Sequence, residues 1–306
     1  MRWLAGAALL IVSASALALA PAAAKDKAPA PLSPALWKVS DADSEIYLFA
    51  GAPFLPEGEA WRSRAVAAAI DRSETMVFEA PSSDRKAQAE AGEIFQSKGR
   101  WPAGRTLSKA LSEDGAAGLA AVAAALGADI AALEPLKPWA AFVVLSAELD
   151  RQRGGDPAAG VEAGVLAEAI GRQRPVQYLD SVGGTLRVLT DMPENDQKAL
   201  LEFLIADWPR QNAEASVEFA RWRAGDVEAL ALAQAPLQEA APGAYERLIT
   251  GRAETLAGRV GALLAAPDAA FVCLPAALVV GEDGVAARLA ARGFTVERID
   301  AAAEKR

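Results

Sequence analysis

Apolar and polar positions change period several times along this chain, and the changes mark its elements. Leu36-Trp37-Lys38-Val39 and Glu45-Ile46-Tyr47-Leu48-Phe49 alternate on either side of a polar turn, Ser40-Asp41-Ala42-Asp43-Ser44, which is a β-hairpin signature. Trp61, Ala65, Ala68 and Ala69 then recur at helical spacing, so residues 61–71 are predicted helical. Thr75-Met76-Val77-Phe78-Glu79 reads as a short strand ending in an acid. Helical spacing returns over 83–98, 106–113, 115–126 and 137–151. The last has Pro138 well placed at its start and apolar residues nearly all round, so it is predicted to be buried. After a Gly154-Gly155-Asp156-Pro157 loop, a helix over 161–170 leads to a strand over 175–180 that again ends in an acid, Asp180. A second helical block follows over 182–264, and the chain closes strand–helix–strand over 270–274, 284–291 and 294–299. Strands at both ends around long helical stretches predict an α/β (α+β) fold. Its mixed central β-sheet would form from the N- and C-terminal segments, with a large helical insertion between them, in one domain over 35–300.

The first residues have a different pattern. Met1-Arg2 gives a short positive start, Trp3 to Ala20 is apolar and free of charge, and small residues reach Ala24 before Lys25-Asp26-Lys27. That order predicts a secretory signal over 1–24, cut after Ala24, with export to the periplasm and no stable membrane insertion once the signal is removed. Residues 25–34 form a Pro/Ala-rich linker, and 301–306 a short C-terminal tail. Without its first 24 residues the chain keeps 30 basic and 40 acidic side chains, a net charge of −10. That balance argues against nucleic acid or anionic lipid as the main partner, because both demand basic patches.

Candidate chemistry is narrowed by what is missing. The chain has no histidine, which removes Ser-His-Asp and Cys-His catalysis and His-ligated zinc. Cys273 is its single cysteine, so it has no internal disulfide; in the apolar run Ala269 to Leu274 that residue reads as a buried small hydrophobe. No phosphate-cradling glycine motif occurs either.

The run from Ala35 to Phe49, the following loop ending in Leu55-Pro56, then Trp61 and Met76-Val77-Phe78-Glu79, resembles the opening of the TraB/GumN (Tiki-like) family. Phe271 to Gly284, with Leu289, Gly293-Phe294 and Val296-Glu297-Arg298, is similar to the family's closing segment. Between these ends, Gly160-Val161-Glu162, Leu179-Asp180, Trp222 to Asp226 and Tyr245 to Arg252 match in register. The resemblance implies a metal-dependent hydrolase scaffold, some members acting on peptides, with two Gly-x-x-His loops and a glutamate at the site. Here Pro53 and Leu278 stand at the two histidine positions, and only Glu79 of that set remains. Neither proline nor leucine offers a side-chain donor, and a catalytic transition metal needs about three protein ligands.

The sequence therefore points to a non-catalytic protein without a cofactor, binding a peptide, an envelope component or a partner protein. Pro53, Phe54, Glu79, Asp180, Arg252 and Leu278 are the candidate cleft residues, because open α/β sheets place ligands beyond the carboxyl ends of their strands. The alternative is a hydrolase of altered chemistry, in which Glu79 and Asp180, with Glu162, act directly or hold an oxygen-ligated divalent cation such as calcium or magnesium. Arg252 and Arg259, seven apart, are predicted to share a helix face, read as solvated or salt-bridged, with an anion-binding contribution to the pocket as the alternative. Trp37, Trp61, Trp139, Trp208 and Trp222 read as packing residues, whereas Trp101, beside Gly99, Arg100 and Pro102, is the best candidate for an exposed contact.

Overall fold

The computed structural model of the chain describes residues 32–266 and 268–299. The expected signal segment, most of the expected linker and the C-terminal tail lie outside the described residues. The strands are β1 (Leu36–Ser40), β2 (Glu45–Gly51), β3 (Thr75–Phe78), β4 (Val176–Tyr178), β5 (Ala270–Pro275) and β6 (Thr295–Arg298). They form one mixed sheet in the order β4-β3-β5-β2-β1-β6. The hairpin expected around the polar turn is present: β1 and β2 pair antiparallel from Leu36 opposite Phe49 to Ser40 opposite Glu45. Asp41 closes that turn by accepting from the Ser44 amide at 3.0 Å and hydroxyl at 2.7 Å.

Four neighbouring strands, β4, β3, β5 and β2, run parallel. The three inner ones are buried almost throughout, and their near-continuous apolar sequences follow from helices covering both faces. The edge strands β4 and β6 are short and partly exposed, with polar or charged residues at alternate positions. Phe49 on β2 stacks on Phe271 of β5, with ring centroids 5.7 Å apart. Gly51 ends β2 beside Cys273; a β-carbon there would come within 2.8 Å of the sulfur, so the close approach needs glycine. Cys273 itself is buried, as its apolar run predicted, and burial holds its thiol well above the usual range.

The helical insertion is divided by β4 into two blocks. The first includes Arg85–Lys98, Glu113–Leu126, Pro138–Gln152 and Val161–Gly171; the second includes Val182–Thr190, the long Glu194–Ala224 and Gly251–Leu263. Boundaries follow capping chemistry. The first helix starts at Arg64, not 61, because Ser63 accepts from the Val66 amide. The single helix expected over 106–113 is only Leu107–Ala110: Leu111 is extended, and Ser112 caps a new helix by accepting from the Gly115 amide at 3.1 Å. The Pro138–Gln152 helix is buried along most of its apolar face, as expected, with Trp139 packed edge-on against Phe95. A short helix at Ala276–Val279, which the apolar run conceals, follows β5 directly. No helix of the described residues is long and apolar enough to cross a membrane.

Candidate functional site

Parallel pairing brings the carboxyl ends of β4, β3, β5 and β2 to one edge of the sheet, where ligands of open α/β folds bind. The segments leaving that edge contain all but one of the six candidate cleft residues. Glu79 follows β3, Asp180 lies just beyond β4, Pro53 and Phe54 leave β2, and Leu278 lies in the short helix after β5. Arg252 reaches the same edge from the Gly251–Leu263 helix.

Glu79 and Arg252 form the central pair. Arg252 Nε donates to Glu79 Oε1 at 3.0 Å, and its Nη2 donates to the same oxygen. Both side chains are largely buried, 7% exposed for the arginine and 13% for the glutamate, so the pair is shielded from water and each charge depends on the other. Arg259, about two turns further along that helix, bridges Asp180 at 3.1 Å and also donates to the Leu179 carbonyl. The shared helix face expected for the two arginines is thus present, and each faces one strand-end acid. The chain reaches this helix through a π-helical turn, Glu246–Thr250, which also turns Arg247 toward the crevice.

Glu79, Asp180, Gly184, Thr185, Arg187, Arg247, Arg252, Thr255 and Arg259 are among the residues around a crevice of about 280 Å³. Four arginines against two acids make it a positive patch on an acidic protein. Arg187 and Arg247 are exposed and form no ion pair among the described residues. Asp180 shapes the crevice wall as well: its carboxylate accepts from the Ser181 amide at 2.8 Å, and Ser181 Oγ caps the next helix at the Gly184 amide.

Pro53, Phe54 and Leu278 do not line this crevice. Leu278 has no exposed surface and packs into the core, where an apolar side chain is most stable. Pro53 and Phe54 are half-buried against the loop before the Val161–Gly171 helix. There Val161 donates to the Ala52 carbonyl at 3.0 Å, and a β-carbon at Gly160 would stand 2.1 Å from the Pro53 oxygen. The cleft predicted from all six residues is therefore made by Glu79, Asp180 and Arg252, while the other three belong to packing.

Glu162, in the first turn of that same helix, accepts from Ser82 Oγ at 2.8 Å. Burial pushes its carboxyl up to about 7, and the nearby Glu79 charge adds to the rise. Each candidate carboxylate has its own partner: Glu79 is held by Arg252, Asp180 by Arg259 and Glu162 by Ser82. Among the described residues no group of three acidic or cysteine side chains is placed to hold a metal ion.

The matching family model covers residues 35–298 and describes the TraB/PrgY/gumN family. The chain belongs to this family. Against curated proteins and against solved structures it finds no match. The match extends over nearly all of the described residues.

Other residues are placed differently from the sequence reading. Trp101 is not an open contact: the Arg105 guanidinium covers its ring at 3.7 Å, and its indole nitrogen is buried. Trp139 and Trp222 are core residues, as expected, and Trp222 donates to the Ala50 carbonyl at 2.9 Å next to the end of β2. Sequence reasoning missed Arg187, Thr185 and Thr255 in the crevice. Their signal was available only as helical spacing from residues whose own placement depends on the sheet.

Proposed function

We propose that the chain is an exported, non-catalytic member of its family that binds the anionic part of a peptide, an envelope component or a partner protein in the arginine-lined crevice. The observation that carries this reading is the buried Glu79–Arg252 pair. The one acid remaining from the family pattern already has a fixed cation against it, and the histidine positions are filled by a proline and a buried leucine. Exposed Arg187 and Arg247 offer an anion the charge-assisted hydrogen bonds it needs.

The test uses the purified chain, a set of short peptides with free C-terminal carboxylates and the same peptides amidated. Binding of the carboxylate forms, weakened at least tenfold in an Arg187→Ser/Arg247→Ser variant and by amidation, supports the reading. Cleavage of any of these peptides that depends on manganese, zinc or calcium and vanishes in Glu79→Gln would overturn it.

A second reading rests on Glu162. A carboxyl held near neutral pH beside a second carboxylate has the poise of a general acid. This alternative, a hydrolase of altered chemistry with or without a divalent cation, predicts turnover that is lost in Glu162→Gln while the fold is retained.

A further inference from the structure

A second cavity, of about 100 Å³, lies apart from the arginine-lined crevice. Its walls come from the Pro138–Gln152 and Glu194–Ala224 helices and from the short helices Val227–Leu232 and Ala235–Ala240, with Ala276 and Ala277 closing it at the end of β5. Much of the wall is apolar, with Phe142, Leu149, Leu200 and Leu204 among its residues. Into this setting the fold places charged groups that packing alone does not require.

Arg153 is 7% exposed, yet its Nη1 and Nη2 have no hydrogen-bond partner; Nε reaches only Asn212 Oδ1, at 3.5 Å. Its neighbour Arg210 shows the contrast, held by Asp207 at 2.7 and 2.6 Å and by Glu214 at 2.9 Å. Glu218 is 6% exposed, and Gln234 leaves its Oε1 unpartnered while its Nε2 donates to the Ala277 carbonyl at 3.2 Å. Burial pushes the carboxyls of Asp150 and Glu218 up to about 7, against the pull of Arg153. A buried guanidinium with two open nitrogens is costly to keep, and a hydrophobic replacement would remove the cost.

The charges lining the cavity balance: Arg153, Arg210 and Arg221 face Asp150, Asp207 and Glu218. A simple anion would satisfy Arg153 but meet Glu218 and Asp150 as like charges. A simple cation would satisfy the acids and leave Arg153 open. A guest bearing both charges, separated and attached to an apolar body, completes every group. A cavity of about 100 Å³ admits only a small guest of this kind.

We propose that this cavity binds a small aliphatic α-amino acid, with its carboxylate on the two open nitrogens of Arg153, its ammonium at Glu218 and Asp150, and its side chain against Phe142, Leu149 and Leu204. The site is distinct from the arginine-lined crevice and stands whether or not that crevice binds anions. The experiment is calorimetric titration of the full chain with L-valine, 3-methylbutanoate (the acid without the amine) and isobutylamine (the amine without the acid). L-Valine binds saturably, and each half-molecule binds at least tenfold more weakly. Binding at pH 6.5 releases protons, read from the dependence of the heat on buffer ionisation, because an ammonium partner favours the ionised acids. Arg153→Met abolishes binding; Glu218→Gln, which keeps the shape of the side chain, weakens it about tenfold or more. No heat with L-valine, L-alanine or L-leucine would overturn the proposal, as would equal affinity for 3-methylbutanoate or unchanged binding in Glu218→Gln.

Discussion

Arg252 and Glu79, 173 positions apart, meet in a largely buried ion pair at the carboxyl end of β3. The helix carrying Arg252 thereby fastens to the acid at the end of β3. Removing only one partner leaves a charge without its counterpart in a shielded place. Arg252→Met is expected to lower unfolding stability by ~3–5 kcal/mol, whereas Glu79→Met/Arg252→Met together lose much less. Urea denaturation of the two variants and the wild type measures the coupling, and additive losses would show that the pair is not shielded.

Three partly or largely buried carboxyls, Asp150, Glu162 and Glu218, are held near pH 7 in the folded chain, above ordinary values of 3.8 for the aspartate and 4.5 for the glutamates. A raised carboxyl pKa favours the protonated form in the fold, so the contribution is fully present below the unfolded value and is lost as pH rises through the folded one. Stability from these groups should fall between about pH 4 and 7 and then level off. Glu162→Gln removes its share of that slope and gains stability relative to the wild type at pH 8 more than at pH 4. Parallel unfolding curves for wild type and variant at both pH values would contradict the assignment.

Gly160 sits where a β-carbon would lie 2.1 Å from the Pro53 carbonyl oxygen, a backbone atom that cannot swing aside. Gly160→Ala should cost ~1–3 kcal/mol through the forced backbone shift. The Val161 amide, bonded to Ala52, is its local reporter, and its hydrogen exchange should accelerate in the variant. Unchanged exchange at that amide would mean that the loop accommodates a methyl group.

Leu278, which the sequence resemblance aligns with a family histidine, is fully buried. Leu278→His should therefore destabilise by about 2 kcal/mol or more, because a buried imidazole lacks partners there. It should bring no zinc affinity in a chelator competition assay. Gain of tight zinc binding would show that this position still points at Glu79 and that the scaffold keeps the geometry of a metal centre.

Much of the fold was legible because its signals are local. The hairpin of β1 and β2 is written in alternation around a polar turn, and the buried Pro138–Gln152 helix in its apolar circumference. Glu79 and Asp180 were legible as strand-end acids for the same reason. Capping serines moved the helix boundaries, and the helix at Ala276–Val279 was hidden in an apolar run that has no period of its own. Trp101 was misplaced because the guanidinium that covers it comes from Arg105, and sequence spacing does not show which way either side chain turns.

By itself the sequence determined the fold class, the family and the absence of histidine, because these depend on which residue types occur and at what period. Only the tertiary structure decided that Arg252 neutralises Glu79, that Leu278 points into the core, and that Arg153 leaves two buried nitrogens without a partner in the wall of a cavity. Such facts are fixed by strand order and helix rotation, which join residues far apart along the chain. A local pattern says which face of an element is apolar; which charged groups then share a space follows only once all the apolar faces are packed together.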